Sequence, residues 1–312
     1  MRNAFIKKLT EVAEKNKDLL LLTGDLGFRV LDGFRDLYPK QFFNIGVAEA
    51  NMASIAAGMA LEGKCAFIYS IAPFVTMRCY EQIRNDICFH KANVKVVSVG
   101  GGYSYGNNGP THHALTDIAL MRVLPEMTVI CPGDPVEAAC ATEAAAEYNG
   151  PVYLRLGRSN ERVIHQGPPD FKIGKGLILK EGDGAALIST GNMLDAAMDA
   201  AEALSQTGVS CRVVSLHTVK PLDTELLREC FDNFPAVFTL EEHSILGGLG
   251  SAVLEFAAKS EINSTKLKTI AAPDQTIHET GSHEHLRRLA GLTAEQITHT
   301  IKKSLKEKHH VN

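Results

Sequence analysis

Short, largely apolar runs recur along the first half of the chain, at residues 19–22, 66–69, 94–99, 127–130 and 152–156. Runs of this length without polar alternation are the pattern of strands covered on both faces of a parallel sheet. Between them lie stretches of helical character at 4–13, 50–61, 80–89 and 135–148. Phe42, Phe43 and Ile45 add a short strand that leads directly into the helix at 50. A second series follows, with strands predicted at 185–189, 211–216, 236–240 and 267–271 and helices at 193–204, 223–231, 249–258 and 293–305. Alternation of this kind predicts an α/β chain of two domains, each a largely parallel sheet flanked by helices. The polar, proline-bearing passage Gln166-Gly167-Pro168-Pro169-Asp170 marks the join. It places the boundary between 160 and 180, with a first domain over 1–165 and a second over 175–312.

Composition narrows the range of functions. The 312 residues are 45% hydrophobic and 22% charged, ordinary for a globular chain that builds two cores. A net charge of -4 offers no basic face to nucleic acid or to an anionic membrane, so neither is expected as a partner. No apolar run approaches the roughly 20 residues of a membrane-spanning helix, and the basic start of the chain lacks the apolar core and cleavage site of a signal peptide. The seven cysteines are odd in number and form no CxxC pair, which argues against a disulfide framework and against zinc. A reducing cytoplasm suits them. The Lys- and His-rich close of the chain, 302–312, reads as a solvated helix end, with too few histidines for a metal site.

In doubly wound sheets, ligands gather outside the carboxyl ends of the strands. Asp25, Glu49, the segment 100–113 and Arg158 all follow predicted strands and are therefore placed to share one rim. Glu49 stands in Gly46-Val47-Ala48-Glu49, in the first turn of a helix rich in small residues. A carboxylate there complements the helix dipole, and that alone accounts for it if nothing else is considered. The run Gly100-Gly101-Gly102 fits neither the GxGxxG nor the GxxxxGK[ST] spacing of phosphate loops.

The order of the motifs adds more. Gly46-Val47-Ala48-Glu49 is followed by Phe74-Val75-Thr76-Met77-Arg78, Gly109-Pro110-Thr111-His112-His113 and Arg155-Leu156-Gly157-Arg158-Ser159-Asn160. This series resembles the pyrimidine-binding domain of the transketolase family of thiamine-diphosphate enzymes. Val219-Lys220-Pro221-Leu222-Asp223 and Glu241-Glu242-His243, with the glycines that follow, resemble that family's C-terminal domain.

The resemblance implies a set of roles. Glu49 is the acid that hydrogen-bonds the aminopyrimidine and drives it to its imino form, in a shielded place that favours the neutral acid. Phe74 stacks on that ring, Met77 stands where a second aromatic is common, and Asp25 lies near the cofactor. His112 contacts substrate oxygens and moves protons, with His113 as second choice. Arg158 binds a substrate phosphate, and Arg2 and Arg29 are further phosphate candidates. Asn108 replaces an aspartate and Gly100 a histidine that read sugar groups in the family, which suggests an unusual donor sugar.

Gly182-Asp183-Gly184 lacks the downstream asparagine of the family's metal-diphosphate motif, so it reads as a turn and no metal ligand is assigned to this chain. Thiamine diphosphate and Mg2+ would then be completed by an N-terminal transketolase subunit carrying the diphosphate domain, in a heterotetramer with two copies of each chain. The implied reaction transfers a two-carbon ketol unit between a ketose and an aldose, each either free or phosphorylated. A 1-deoxyxylulose-5-phosphate-synthase-like enzyme, a 2-oxo acid dehydrogenase beta subunit and a non-catalytic assembly subunit stay open as alternatives.

Overall fold

The computed structural model describes residues 1–309; the last three residues of the Lys- and His-rich tail lie outside the described residues. The first sheet carries β1 (Leu19–Thr23), β2 (Phe42–Asn44), β3 (Cys65–Ile71), β4 (Val94–Val99), β5 (Thr128–Ile130) and β6 (Val152–Leu156). The second sheet carries β7 (Leu177–Lys180), β8 (Ala185–Ser189), β9 (Cys211–Ser215), β11 (Val237–Ser244) and β12 (Leu267–Ala272), in the order β12-β11-β8-β9-β7. β10 (Thr218–Lys220) lies between β9 and β11 in the chain yet pairs antiparallel with β5, giving the first sheet the order β10-β5-β6-β4-β3-β1-β2. Apart from β7 and β10 the pairings are parallel.

Parallel strands covered on both faces must be apolar on both faces, and β1, β4 and β6 are buried at every position. The exceptions are satisfied. Lys95 in β4 is fully buried, and its ammonium donates to the side chain of Asn93 and to the carbonyls of Tyr148 and Gly150, each at 2.6 Å. Burial pulls its pKa down to about 8. Leucine and valine side chains on β1 and β4 contribute about 1.5–3 kcal/mol each on burial.

Several elements depart from the sequence reading. The helix predicted at 80–89 forms as Tyr80–Gln82 followed by a π-helical stretch, Ile83–Cys88, and a second π-helical stretch spans Phe74–Arg78. The wider turn inserts a residue without changing which side is apolar, so hydrophobic periodicity does not reveal it. Helices at Asp32–Leu37, Asp117–Val123 and His283–Leu289, and the edge strands β7 and β10, are also additions.

The two sheets are tied together closely. The nitrogen of Cys131 donates to the carbonyl of His217 at 2.6 Å, and Phe171 of the connecting segment stacks on His217 at 4.0 Å. Asp134, the N-cap of helix Pro135–Glu147, accepts from the nitrogens of Ile164 and His165 at 2.8 and 2.9 Å. Burial opposes its charge, but these bonds, the His165 ring and the nitrogen of Glu137 outweigh burial and hold the carboxyl at about 2. A carboxyl depressed below its unfolded value stabilises the fold fully above that value, and the benefit disappears as pH falls through about 2. Asp134→Asn is therefore expected to lower stability by about 2 kcal/mol at neutral pH. Thermal unfolding followed from pH 7 to pH 2 should show the gap between variant and parent close at the acid end.

Candidate functional site

The residues singled out from the sequence follow neighbouring strands of the first sheet. Asp25 follows β1, Glu49 follows β2, Phe74 follows β3, His112 follows β4 and Arg158 follows β6, so all stand at the carboxyl rim. Asn44 at the end of β2 organises one part of it. Its amide oxygen accepts from the nitrogens of Asp25 and Gly46, both at 3.0 Å, and its amide nitrogen donates to the Asp25 carboxylate at 2.9 Å. Gly46 takes φ +79°, a left-handed conformation that reverses the chain between β2 and the helix Glu49–Leu61. That reversal brings Glu49 inward.

Glu49 is 3% exposed, yet among the described residues its carboxylate has only long contacts: the Ser70 hydroxyl at 3.4 Å and Arg78 Nη1 at 3.6 Å. Buried carboxylates are ordinarily tightly paired or hydrogen-bonded. Ala53, Ala56 and Ala57 of the same helix are buried, so a smooth surface packs beneath it.

A continuous line of contacts leads away from this acid. The Arg78 guanidinium lies 4.6 Å from the centroid of the Phe74 ring. Phe74 meets the His112 ring at 5.2 Å and 69°, and His112 meets Tyr105 at 6.3 Å. Arg158 in turn lies 4.8 Å over the Tyr105 ring. Burial pushes the Tyr105 hydroxyl up, and the charges of Arg2 and Arg158 oppose it, which puts Arg2 in the same neighbourhood. The loop bearing His112 is closed at its base by paired hydrogen bonds between Gly102 and Ala114, at 3.0 and 2.9 Å.

Beyond Arg158 the rim opens into a cavity of about 350 Å³ between the two sheets, lined among others by Ser104, Arg162, Asn192, His283 and Arg287. Its other arginines are already matched, Arg287 by Glu242 and Arg162 by Asp199, and the His283 ring meets the same Glu242 carboxylate at 2.7 Å. Arg158 lines the same cavity and forms no ion pair among the described residues.

Not every candidate joins the line. Met77 is 42% exposed on the outer side of the Phe74 turn. Asn108 and Arg29 are exposed; Asn108 donates its backbone nitrogen to the carbonyl of Tyr105, and Arg29 its own to the Asp32 carboxylate. His113 is buried against Tyr103, and burial, then the His112 charge, pulls its pKa down. Three contacts escaped the sequence reading: Ser70, Arg78 and Tyr105. Only Arg78 left a usable signal, its place four residues after an aromatic. Asp183 sits in a bend before β8. Among the described residues, no cluster of three His, Cys, Asp or Glu is placed to hold a metal ion, and no helix is long and apolar enough to cross a membrane.

Residues 1–163 match the family "Transketolase, pyrimidine binding domain", and residues 174–297 match "Transketolase, C-terminal domain". The chain belongs to the transketolase family. A transketolase C-terminal section from Methanocaldococcus jannaschii is 37% identical over 310 residues, covering 98% of this chain and 96% of the relative. A subunit of an apulose-4-phosphate transketolase from Phocaeicola vulgatus is 33% identical over 308 residues, covering 98% and 97%. A solved structure described as "Split gene transketolase, inactive beta4 tetramer" superimposes with a TM-score of 0.89 at 36% identity, covering 98% of each chain. The two-domain architecture, with its mostly parallel sheets, is thus that of the transketolase family, a family of thiamine-diphosphate-dependent transferases.

Proposed function

We propose that this chain is the pyrimidine-binding, C-terminal subunit of a transketolase that moves a two-carbon ketol unit from a ketose phosphate to an aldose phosphate. The observation that carries this reading is the unbroken line from a buried, loosely partnered acid, through successive ring contacts, to Arg158, which has no ion pair among the described residues. The acid and the neighbouring ring suit one end of thiamine diphosphate, which when bound supplies the nucleophilic thiazolium carbon.

This chain's residues then divide the remaining work. Glu49 holds a proton against a ring nitrogen of the aminopyrimidine, and Phe74 offers it a stacking face. Asp25, fixed by Asn44, borders the same end. His112 moves a proton at the substrate's oxygens. Arg158 grips the phosphate with its donor fork, and Arg2 stands beside it at the same tyrosine, Tyr105.

Diphosphate and Mg2+ are assigned to an N-terminal partner subunit, with two copies of each chain in the working assembly. The related beta4 tetramer described as inactive supports the need for such a partner, and the apulose-4-phosphate relative supports a phosphorylated substrate. The free cysteines suit a reducing cytoplasm.

The test is to purify the chain with the product of a neighbouring gene that encodes a diphosphate-binding half. The mixture, given thiamine diphosphate and Mg2+, should exchange ketol units between pentose phosphates. Decarboxylation of pyruvate onto an aldehyde instead would overturn the ketol-transfer reading. In the active complex, Arg158→Ala should raise KM for phosphorylated substrates roughly 10- to 100-fold, the worth of hydrogen bonds to a charged group, with a smaller effect on kcat. An unphosphorylated substrate should barely sense the change.

A further inference from the structure

Arg78 has no role in the motifs set out above, yet it touches the two residues on which the proposed function most depends. Its guanidinium lies over the Phe74 ring at 4.6 Å while Nη1 points at Glu49 Oε2 from 3.6 Å. We propose that Arg78 is a positioning residue that stands in for the aminopyrimidine while the site is unloaded and yields its place when that ring arrives. The inference rests on the roles of Glu49 and Phe74 given above.

The chemical likeness is close. A guanidinium is planar and delocalised, stacks on aromatic faces and presents N–H donors along its edge. A stacked aminopyrimidine engaged by an acid needs the same two things, an aromatic face beneath it and a carboxyl at its edge. In this structure both are met by one side chain, and the carboxyl has no closer partner than Ser70 at 3.4 Å among the described residues.

The fold makes such a residue useful. A carboxylate only 3% exposed is costly when it has neither water nor a counter-charge. A guanidinium at its edge offsets that cost while the site is empty. Arg78 is also free to leave. Its side chain is 55% exposed, and its contacts here are a stacking interaction and one long ion pair, both of them weak at an exposed position. The π-helical turn Phe74–Arg78 sets both side chains on one short segment, so swinging the guanidinium outward breaks only the stacking contact and the single long ion pair.

A permanent cofactor ligand at the same place would behave in the opposite way, and binding measurements separate the two. Calorimetric titration of thiamine diphosphate, with Mg2+ present, into the assembled complex is the direct experiment. Removing an internal competitor should tighten binding, so Arg78→Ala is expected to lower Kd roughly 3- to 10-fold, the sum of the two weak contacts. Arg78→Gln, which keeps length and polarity, should shift Kd in the same direction and covers the case in which the alanine variant fails to assemble. Arg78→Lys, which keeps the charge but loses the plane, should fall between parent and Gln.

Phe74→Ala supplies the control. It should weaken cofactor binding, and in that background the effect of Arg78→Ala should shrink, because the guanidinium has lost its platform. Unchanged or weaker binding in both Arg78→Ala and Arg78→Gln overturns the stand-in role. If instead Phe74→Ala leaves Kd unmoved, the assignment of the pyrimidine site itself falls, and the proposal falls with it.

Discussion

Glu49→Gln should abolish most turnover of the assembled enzyme, by roughly 10²- to 10⁴-fold in kcat, the usual worth of a positioned proton-transfer group. Glutamine keeps the shape of the side chain but can neither give up nor take a proton at its amide. The fold has little reason to object. The contacts of Glu49 are long, 3.4 and 3.6 Å, and removing a poorly paired buried charge is neutral or stabilising. The thermal midpoint should therefore stay the same or rise, and size-exclusion chromatography should show the partner still bound. Steady-state kinetics and assembly, measured on one preparation, decide the matter. Turnover close to that of the parent would mean that the chain is an assembly subunit and that the acid merely starts a helix.

The second large effect is on stability. Glu242 is fully buried and accepts from the nitrogen of Tyr103 at 2.5 Å, from His283 at 2.7 Å and from Arg287 at 2.6 Å. Burial would raise its pKa, but the charges of Arg287 and His283 hold the carboxyl well below the usual carboxylate range. Glu242→Ala removes every one of these bonds and leaves Arg287, 6% exposed, facing Asp195 at 3.3 Å. Breaking such a buried pair costs about 3–5 kcal/mol, which should lower the thermal midpoint by on the order of 10 °C. Because the carboxyl's folded pKa is depressed, the loss should be full at neutral pH and diminish in strong acid. A midpoint within roughly 2–3 °C of the parent, by calorimetry at pH 7, would show that the network is dispensable.

That network also explains a glycine. At Gly102, with φ +65°, a β-carbon would lie 2.2 Å from Glu242 Oε1. The residue that lets the second domain's carboxylate reach Tyr103 is therefore fixed by contact as well as by backbone. Gly102 also closes the base of the loop that carries His112, so the second domain helps hold that loop in shape.

Much of this was legible in the sequence because strands buried on both faces announce themselves as short apolar runs. The positions after β1, β2, β4 and β6 carry Asp25, Glu49, His112 and Arg158, and sequence order alone put these on one rim; Phe74, after β3, joins them in the structure. What escaped was of two kinds. Edge strands such as β7 and β10 pair through one side and are too short to carry a pattern, and π-helical turns add a residue without altering which side is apolar. Arg78, Ser70 and Glu242 escaped because their importance lies in contacts spanning 21 to 139 residues or in a rotamer, neither of which is written in a local motif. The sequence also could not show that Arg2 and Arg158 approach the same tyrosine.

The crossing of β10 into the first sheet bears on how such proteins can be cut and recombined. A gene fragment stopped at the natural-looking seam near residue 165 would strip β5 of its edge partner and expose a bare ladder of amides and carbonyls, the kind of edge that invites aggregation. The second half, expressed alone, would carry an orphaned strand and a His217 carbonyl without its Cys131 donor. A chimaera joined near residue 165 therefore draws β5 and β10 from different parents, and it is expected to lose stability wherever the two parents differ along that pairing.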